Sequence, residues 1–273
     1  MLTFISFGSG SCGNCYYLGT QTDAIIIDSG VGIRRLKKVM AEYGIKKGNI
    51  RAILITHDHS DHIKSAGMLS DELNVPVYTT QLIHEGIRRN YMMNHKIAAS
   101  RAVSIEKNTP FSIAGFEITA FQIPHDSTEN VGYSIQHGGI RFSIMTDVGD
   151  VTDNICHYIA TSNYIVLEAN YDLDMLRTGR YPEQLKERIT CGTGHLSNLQ
   201  TAQALSDNIH PDLKHVWLCH LSEENNHPEL ARKTVESHLR SFGIITGVDF
   251  QLDVLKRKVV TGPFFIRTAT DGE

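Results

Sequence analysis

Apolar residues along the chain gather into short runs that alternate with stretches of helical spacing. Leu2 to Phe7, Tyr16 to Leu18 and Ala24 to Ile27 read as strands, and Leu36, Val39, Met40 and Tyr43 then recur at the interval of an amphipathic helix, which Gly44 stops. Ala52 to Ile55 is a wholly apolar strand. After a histidine-rich turn, the pattern predicts a helix over 61–73 and a strand from Val75 to Tyr78. Strand signals dominate the middle. Phe116 to Ile123 alternates, and Val131 to Gln136 and Arg141 to Met145 flank His137-Gly138-Gly139, a glycine pair suited to a hairpin turn. Helical patterns at 153–160, 182–189, 197–208 and 228–242 are interleaved with strands from Tyr164 to Leu167 and His215 to Leu218, and further strands follow. No fixed-period repeat, low-complexity tract or proline-rich linker divides the chain. Strands precede helices in each half, which predicts one α/β (α+β) domain over 1–273, a four-layer αββα sandwich of two face-to-face sheets with helices outside.

Composition narrows the class. Hydrophobic residues at 41% and charged residues at 21% suit a soluble chain with a sizeable core and exclude disordered and collagen-like classes. The opening residues carry no basic region, and no stretch approaches the roughly 18 apolar residues of a membrane span, so a cytoplasmic location without a membrane partner is expected. Five cysteines point to reduced thiols, and the single Cys12-x-x-Cys15 pair lacks the second pair that a zinc site would need. A net charge of −4 means that an anionic substrate must be drawn in locally rather than by the whole surface. Fourteen histidines are the unusual feature.

Their placement carries the chemistry. Thr56-His57-Asp58-His59-Ser60-Asp61-His62 follows the apolar strand directly, so four potential ligands lie where a strand end projects them to one side. His57 and His59 would serve one metal, Asp61 and His62 a second.

This H-x-H-x-D-H run resembles the signature of the metallo-β-lactamase superfamily, and the resemblance implies the rest of the ligand set in order: His125 after Phe121 to Pro124, Asp147 as a bridge after Ile144 to Thr146, and His220 after Leu218-Cys219. Asp28, closing Ile25 to Ile27, resembles the early aspartate that orders the metal loop without ligating. Glu168, in Val166 to Tyr171, and His195, in Gly194 to Ser197, resemble the pair that handles the leaving-group proton in ribonuclease Z, a pair absent from lactamase and glyoxalase branches. Phe7 to Asn14, taken with Gly194 to Asn198 and His220 to Asn226, is similar to the WalJ/YycJ-type metallohydrolases over essentially the whole chain. Cys219 stands where such enzymes often have threonine. In the Gly/Ser loop, Ser11 and Asn14 are the candidate phosphate contacts.

The implied chemistry is phosphodiester hydrolysis. Two divalent metals, for which zinc, manganese and iron are equally suited, would lower the pKa of a bound water to about 7. Asp61 belongs to both the metal and the catalytic sets, and His195, oriented by Glu168, is the candidate acid for the leaving alkoxide. The resemblance implies a nuclease, a 5′ to 3′ exonuclease on DNA. The stretch 148–219 is too short for the extra domain of β-CASP RNA-processing members. Alternatives are a phosphodiesterase on small or cyclic phosphates, a thioester or lactone hydrolase, and a non-enzymatic scaffold, whose mark would be missing ligands. Should the metals not recruit the substrate, Arg34, Arg35, Arg88 and Arg89 are the basic alternatives.

Overall fold

The computed structural model describes residues 1–268. Its first sheet takes β1 (Leu2–Gly8), β2 (Cys15–Gly19), β3 (Ala24–Ile27), β4 (Ile50–Leu54), β5 (Val77–Thr79) and β6 (Ala102–Ser104). The second takes β7 (Phe111–Ile113), β8 (Phe116–Gln122), β9 (Val131–His137), β10 (Ile140–Met145), β11 (Tyr164–Glu168), β12 (His215–Cys219) and β13 (Gln251–Val254). β14 (Thr261–Ile266) then returns to the first sheet, where it pairs antiparallel with β1. The strand orders are β14-β1-β2-β3-β4-β5-β6 and β13-β12-β11-β10-β9-β8-β7, so among the described residues each sheet has seven strands.

Both sheets are mixed. β3 to β6 run parallel, as do β10 to β13, and their sides buried on both faces explain the continuous apolar runs: all four residues of β3, Ala24 and Ile25 to Ile27, are buried. The sheets meet through Phe4, whose ring lies 5.0 Å from Phe142 and 4.7 Å from Trp217, and through Tyr133, whose hydroxyl donates to the Ile55 carbonyl at 2.7 Å. On the outer face of the first sheet pack α1 (Ile33–Glu42), α2 (Ser60–Ile63), α3 (Ala66–Leu73) and α4 (Gln81–Arg89), with Leu36, Val39, Met40, Leu69, Ile83 and Ile87 in the shared core. α5 (Asp153–Thr161), α6 (Leu173–Thr178), α7 (Glu183–Thr190), α8 (Asn198–Asn208) and α9 (Pro228–Ser241) follow strands of the second sheet, and Ile155, Ile159, Leu205, Val235 and Leu239 form a second core against it. Each fully buried aliphatic side chain contributes roughly 1.5–3 kcal/mol. The αββα sandwich expected from the sequence is the fold observed.

One expectation changes in detail. The helix over 61–73 is broken at Lys64-Ser65. The Asp61 and His62 carbonyls, which would accept from the next turn of that helix, instead accept from the N–H groups of Asn14 (2.8 Å) and Ser29 (2.6 Å), while Ser65 N–H turns to the Ser29 carbonyl. The β9–β10 hairpin does turn on Gly138 and Gly139, both at positive φ (55° and 80°) as a two-residue turn of this hand requires. α4 and α6, which the hydrophobic pattern did not predict, are capped by Thr80 and Asp172 side chains.

Candidate metal centre

The site lies where strands of both sheets end. Asp28, Asp147 and His220 follow the carboxyl ends of β3, β10 and β12, and all three adopt left-handed backbone conformations, at φ 58°, 56° and 52°. Non-glycine residues are seldom held there, and such strain concentrates where side-chain direction matters. Further bonds hold these turns in place. Asn130 Nδ2 donates to the Asp147 carbonyl at 2.8 Å, Asn170 Nδ2 to the His220 carbonyl at 2.8 Å, and the His220 N–H to Ser9 Oγ at 3.0 Å.

The predicted ligands converge in the predicted groups. One ligand atom each from His57, His59 and His125 lie within 4.8 Å of one another, as do those of Asp61, His62 and His220. Asp147 joins His57 and His62 in a third such group and Glu168, His195 and His220 in a fourth. His62 Nε2 is 3.1 Å from Asp147 Oδ2.

What lies behind the ligands decides whether this cluster fits metal. Thr56 Oγ1 donates to Asp28 and accepts from His57 Nδ1 at 3.0 Å; His62 Nδ1 donates to Asp28 Oδ2 at 2.7 Å; His125 Nδ1 donates to the Gly194 carbonyl at 3.0 Å; His220 Nδ1 donates to Glu168 Oε1 at 2.8 Å. With Nδ1 carrying the proton, each ring turns the Nε2 lone pair toward the cluster, the tautomer a divalent ion needs. The Nε2 atoms of His57, His125 and His220 are buried and have no hydrogen-bond partner among the described residues, a costly arrangement for a site that holds no cation. The donor set and its backing therefore fit divalent metal, and Asp28 occupies the bracing position expected of it.

Electrostatics sort the histidines. Burial holds the His57 imidazole well below its usual pKa, with His62 acting in the same direction, so it is neutral and ready to ligate. Burial lowers His220 as well, but Asp147, Asp61 and Glu168 outweigh it and push the pKa up to about 10. In His62, burial is likewise outweighed, by Asp28 first and then Asp147 and Asp61, and its pKa stands well above normal. Asp147 is kept well below the ordinary carboxylate range because His220 and His62 overcome its burial.

Glu168 and His195 are joined as the resemblance implied: His195 Nδ1 donates to Glu168 Oε1 at 2.9 Å. The sequence did not show that the same oxygen also receives His220, nor that Oε2 accepts from the Val148 and Leu196 N–H groups at 2.7 and 3.2 Å. Ser11 and Asn14 separate. Ser11 is exposed and lines a cavity of about 180 Å³ beside His195, His220, Tyr181 and Ser222. Asn14 is wholly buried, with its amide nitrogen 2.8 Å from His62 Nε2 and 3.4 Å from Asp61 Oδ2. It braces the ligand turn from below, which corrects the expectation of a direct phosphate contact.

A larger cavity of about 540 Å³ opens over His59 and Asp61, lined also by Asp58, Arg89 and Tyr91. Asp126 and Arg188, which line both cavities, pair with each other. Asp126 could have been noticed as the carboxylate next to His125; Arg188 sits on an exposed helix with nothing local to mark it. Of the basic alternatives, Arg35 is committed to the Phe7 and Lys258 carbonyls at 2.8 and 2.7 Å.

Two mixed sheets meeting at a turn-borne histidine and aspartate cluster define a metallo-β-lactamase-fold protein, and the Beta-lactamase superfamily domain matches residues 23–220. The chain is 32% identical over 266 residues to exodeoxyribonuclease YycJ of Bacillus anthracis, covering 95% of this chain and 97% of that protein. It is 32% identical over 244 residues to exodeoxyribonuclease WalJ of Streptococcus pneumoniae, covering 89% and 90%. Within the superfamily, the chain belongs to the family of YycJ and WalJ. The metallo-β-lactamase fold protein YhfI from Bacillus subtilis superposes with a TM-score of 0.70 over 95% of this chain and 98% of that one, at 15% identity, a likeness of fold alone. The family implies divalent-metal binding. Among the described residues no helix is long and apolar enough to cross a membrane.

Proposed function

We propose that this chain is a metal-dependent exonuclease that hydrolyses phosphodiester bonds of DNA from the 5′ end. Two divalent ions complete the reading, one held by His57, His59 and His125, the other by Asp61, His62 and His220, with Asp147 shared; zinc, manganese or iron suits this donor set. When bound, such ions supply a nucleophile at neutral pH and charge neutralisation for the phosphate. The two sheets share one core, which supports taking 1–273 as a single domain, and a cytoplasmic location accords with a DNA substrate.

The contact between His195 and Glu168 carries the reading. A deoxyribose alkoxide leaves poorly unless it is protonated, whereas an acyl hydrolase gains little from an acid placed there. Burial disfavours the imidazolium of His195, but Glu168 outweighs it and raises the pKa, which favours the donor form, with Nδ1 fixed and Nε2 available. Ser11 on the adjoining cavity is the candidate phosphate contact, and Asn14 supports Asp61 and His62. The names of the two relatives favour DNA over RNA.

Digestion of end-labelled single- and double-stranded DNA and RNA by metal-loaded protein tests all of this in one gel. Stepwise loss from the 5′ end of DNA is expected. Cleavage confined to dinucleotides or cyclic phosphates would move the assignment to a small-molecule phosphodiesterase.

A further inference from the structure

The loop that follows α4, residues 90–98, is fastened to the turn that carries the ligands. Asn90 Nδ2 donates to the Asp58 carbonyl at 2.8 Å, Asn90 Oδ1 accepts from the Met92 N–H at 2.9 Å, and Lys96 Nζ donates to the carbonyls of Ile87 (3.1 Å) and Asn90. Met93 is buried at 2% exposure. α4 approaches closely because Gly86 has no side chain: a Cβ there would stand 2.1 Å from Asp58 Oδ2. Between these anchors Tyr91 is 87% exposed and Met92 59%. A ring left in water contributes nothing to the core, yet this one is presented from a fixed loop at the border of the cavity over His59 and Asp61. Arg89 lines the same cavity. Arg88 and Arg89 share Glu85 at 3.9 and 3.8 Å and are mostly exposed, so two cations face one anion.

An exposed aromatic ring beside exposed guanidinium groups is the combination by which proteins hold single-stranded nucleic acid without reading its sequence, since every base has a face to stack and every phosphate a charge to meet. We propose that Tyr91 is a base-stacking platform that positions a single-stranded end of the substrate in the cleft, with Arg89 beside it meeting the backbone. This assignment rests on the nuclease reading and deepens it. It gives a chain of net charge −4 a local means of gripping a polyanion away from the metals.

Steady-state cleavage of single-stranded oligonucleotides by metal-loaded wild type, Tyr91→Ala, Tyr91→Phe and Tyr91→Trp tests it. Tyr91→Ala should raise KM roughly 5- to 150-fold, the worth of stacking one base, and leave kcat unchanged. The two aromatic variants should restore KM. A small aryl phosphodiester, which has no base to stack, should be hydrolysed equally by all four. The chain's one tryptophan, Trp217, is fully buried and present in wild type too, so the emission that Tyr91→Trp adds over wild type reports on the loop, and that added emission should be quenched as oligonucleotide binds. An unchanged KM for Tyr91→Ala, an equal loss on both substrates, or unquenched emission overturns the assignment. If wild type cuts no oligonucleotide, the nuclease reading fails and this falls with it. If wild type cuts and Tyr91→Ala cuts equally well, only the stacking role fails, and the exposed tip is left for a protein partner.

Discussion

Glu168 Oε1 lies 2.8 Å from Nδ1 of His220, so the carboxylate that orients the candidate acid also braces a candidate metal ligand. Glu168 is fully buried, and both its oxygens are engaged. Its removal therefore acts on two groups at once. Glu168→Ala should lower metal affinity about 10- to 100-fold, the usual cost of losing a partner behind a ligand, in addition to slowing turnover. Metal content after dialysis, measured beside kcat, checks this; a variant that stays fully loaded would confine Glu168 to His195.

His195→Ala should separate cleanly from that behaviour. It removes no ligand of the proposed set, so both metals should stay bound while hydrolysis of a natural phosphodiester slows roughly 10²- to 10⁴-fold. An aryl phosphodiester, whose phenolate leaves without a proton, should be largely spared. Equal losses on both substrates in a metal-replete variant would mean that the proton comes from elsewhere.

Metal binding should release protons, and the histidines divide on it. His57 is already neutral and gives up none. In the metal-free protein His62 and His220 both carry raised pKa values; that of His220, about 10, leaves it protonated at pH 7, so it must deprotonate to ligate, and His62 is biased the same way. The sign follows: apparent affinity rises with pH until His220 loses its proton unaided near pH 10, and falls as pH drops below that. Titration calorimetry in buffers of different ionisation enthalpy counts these protons; a release of none at pH 7 contradicts the assignment of both residues.

Gly30→Ala should damage the metal centre more than the fold. A Cβ at this position would stand 1.5 Å from the Asp61 carbonyl oxygen, so the ligand turn has to move. The expected outcome is depleted metal and lost activity with the far-ultraviolet circular dichroism retained. A variant that folds and loads normally would show that the turn has slack.

Sequence by itself determined the local features: apolar runs set the strands, and the glycine pair at 138–139 set a hairpin. The run from His57 to His62 concentrated four ligands by covalent proximity, and family resemblance supplied His125, Asp147, His220 and the pair of Glu168 and His195. α4 was legible in principle, from the Thr80 cap and the four-residue spacing of Ile83 and Ile87. Contacts between distant segments were not. The break at Lys64-Ser65 arises because Asn14 and Ser29 take backbone carbonyls that a helix would otherwise use, and no local preference encodes a donor arriving from 47 residues away, as Asn14 does to Asp61. Asn14 reads as a surface loop residue until the fold closes over it. Tyr91 reads as one more apolar residue until it is seen to be left outside. Burial, and with it the sharing of Glu168 between His195 and His220, is decided only when both sheets bring their strand ends to one place, because a carboxylate's partners are set by distance in space and not by distance along the chain.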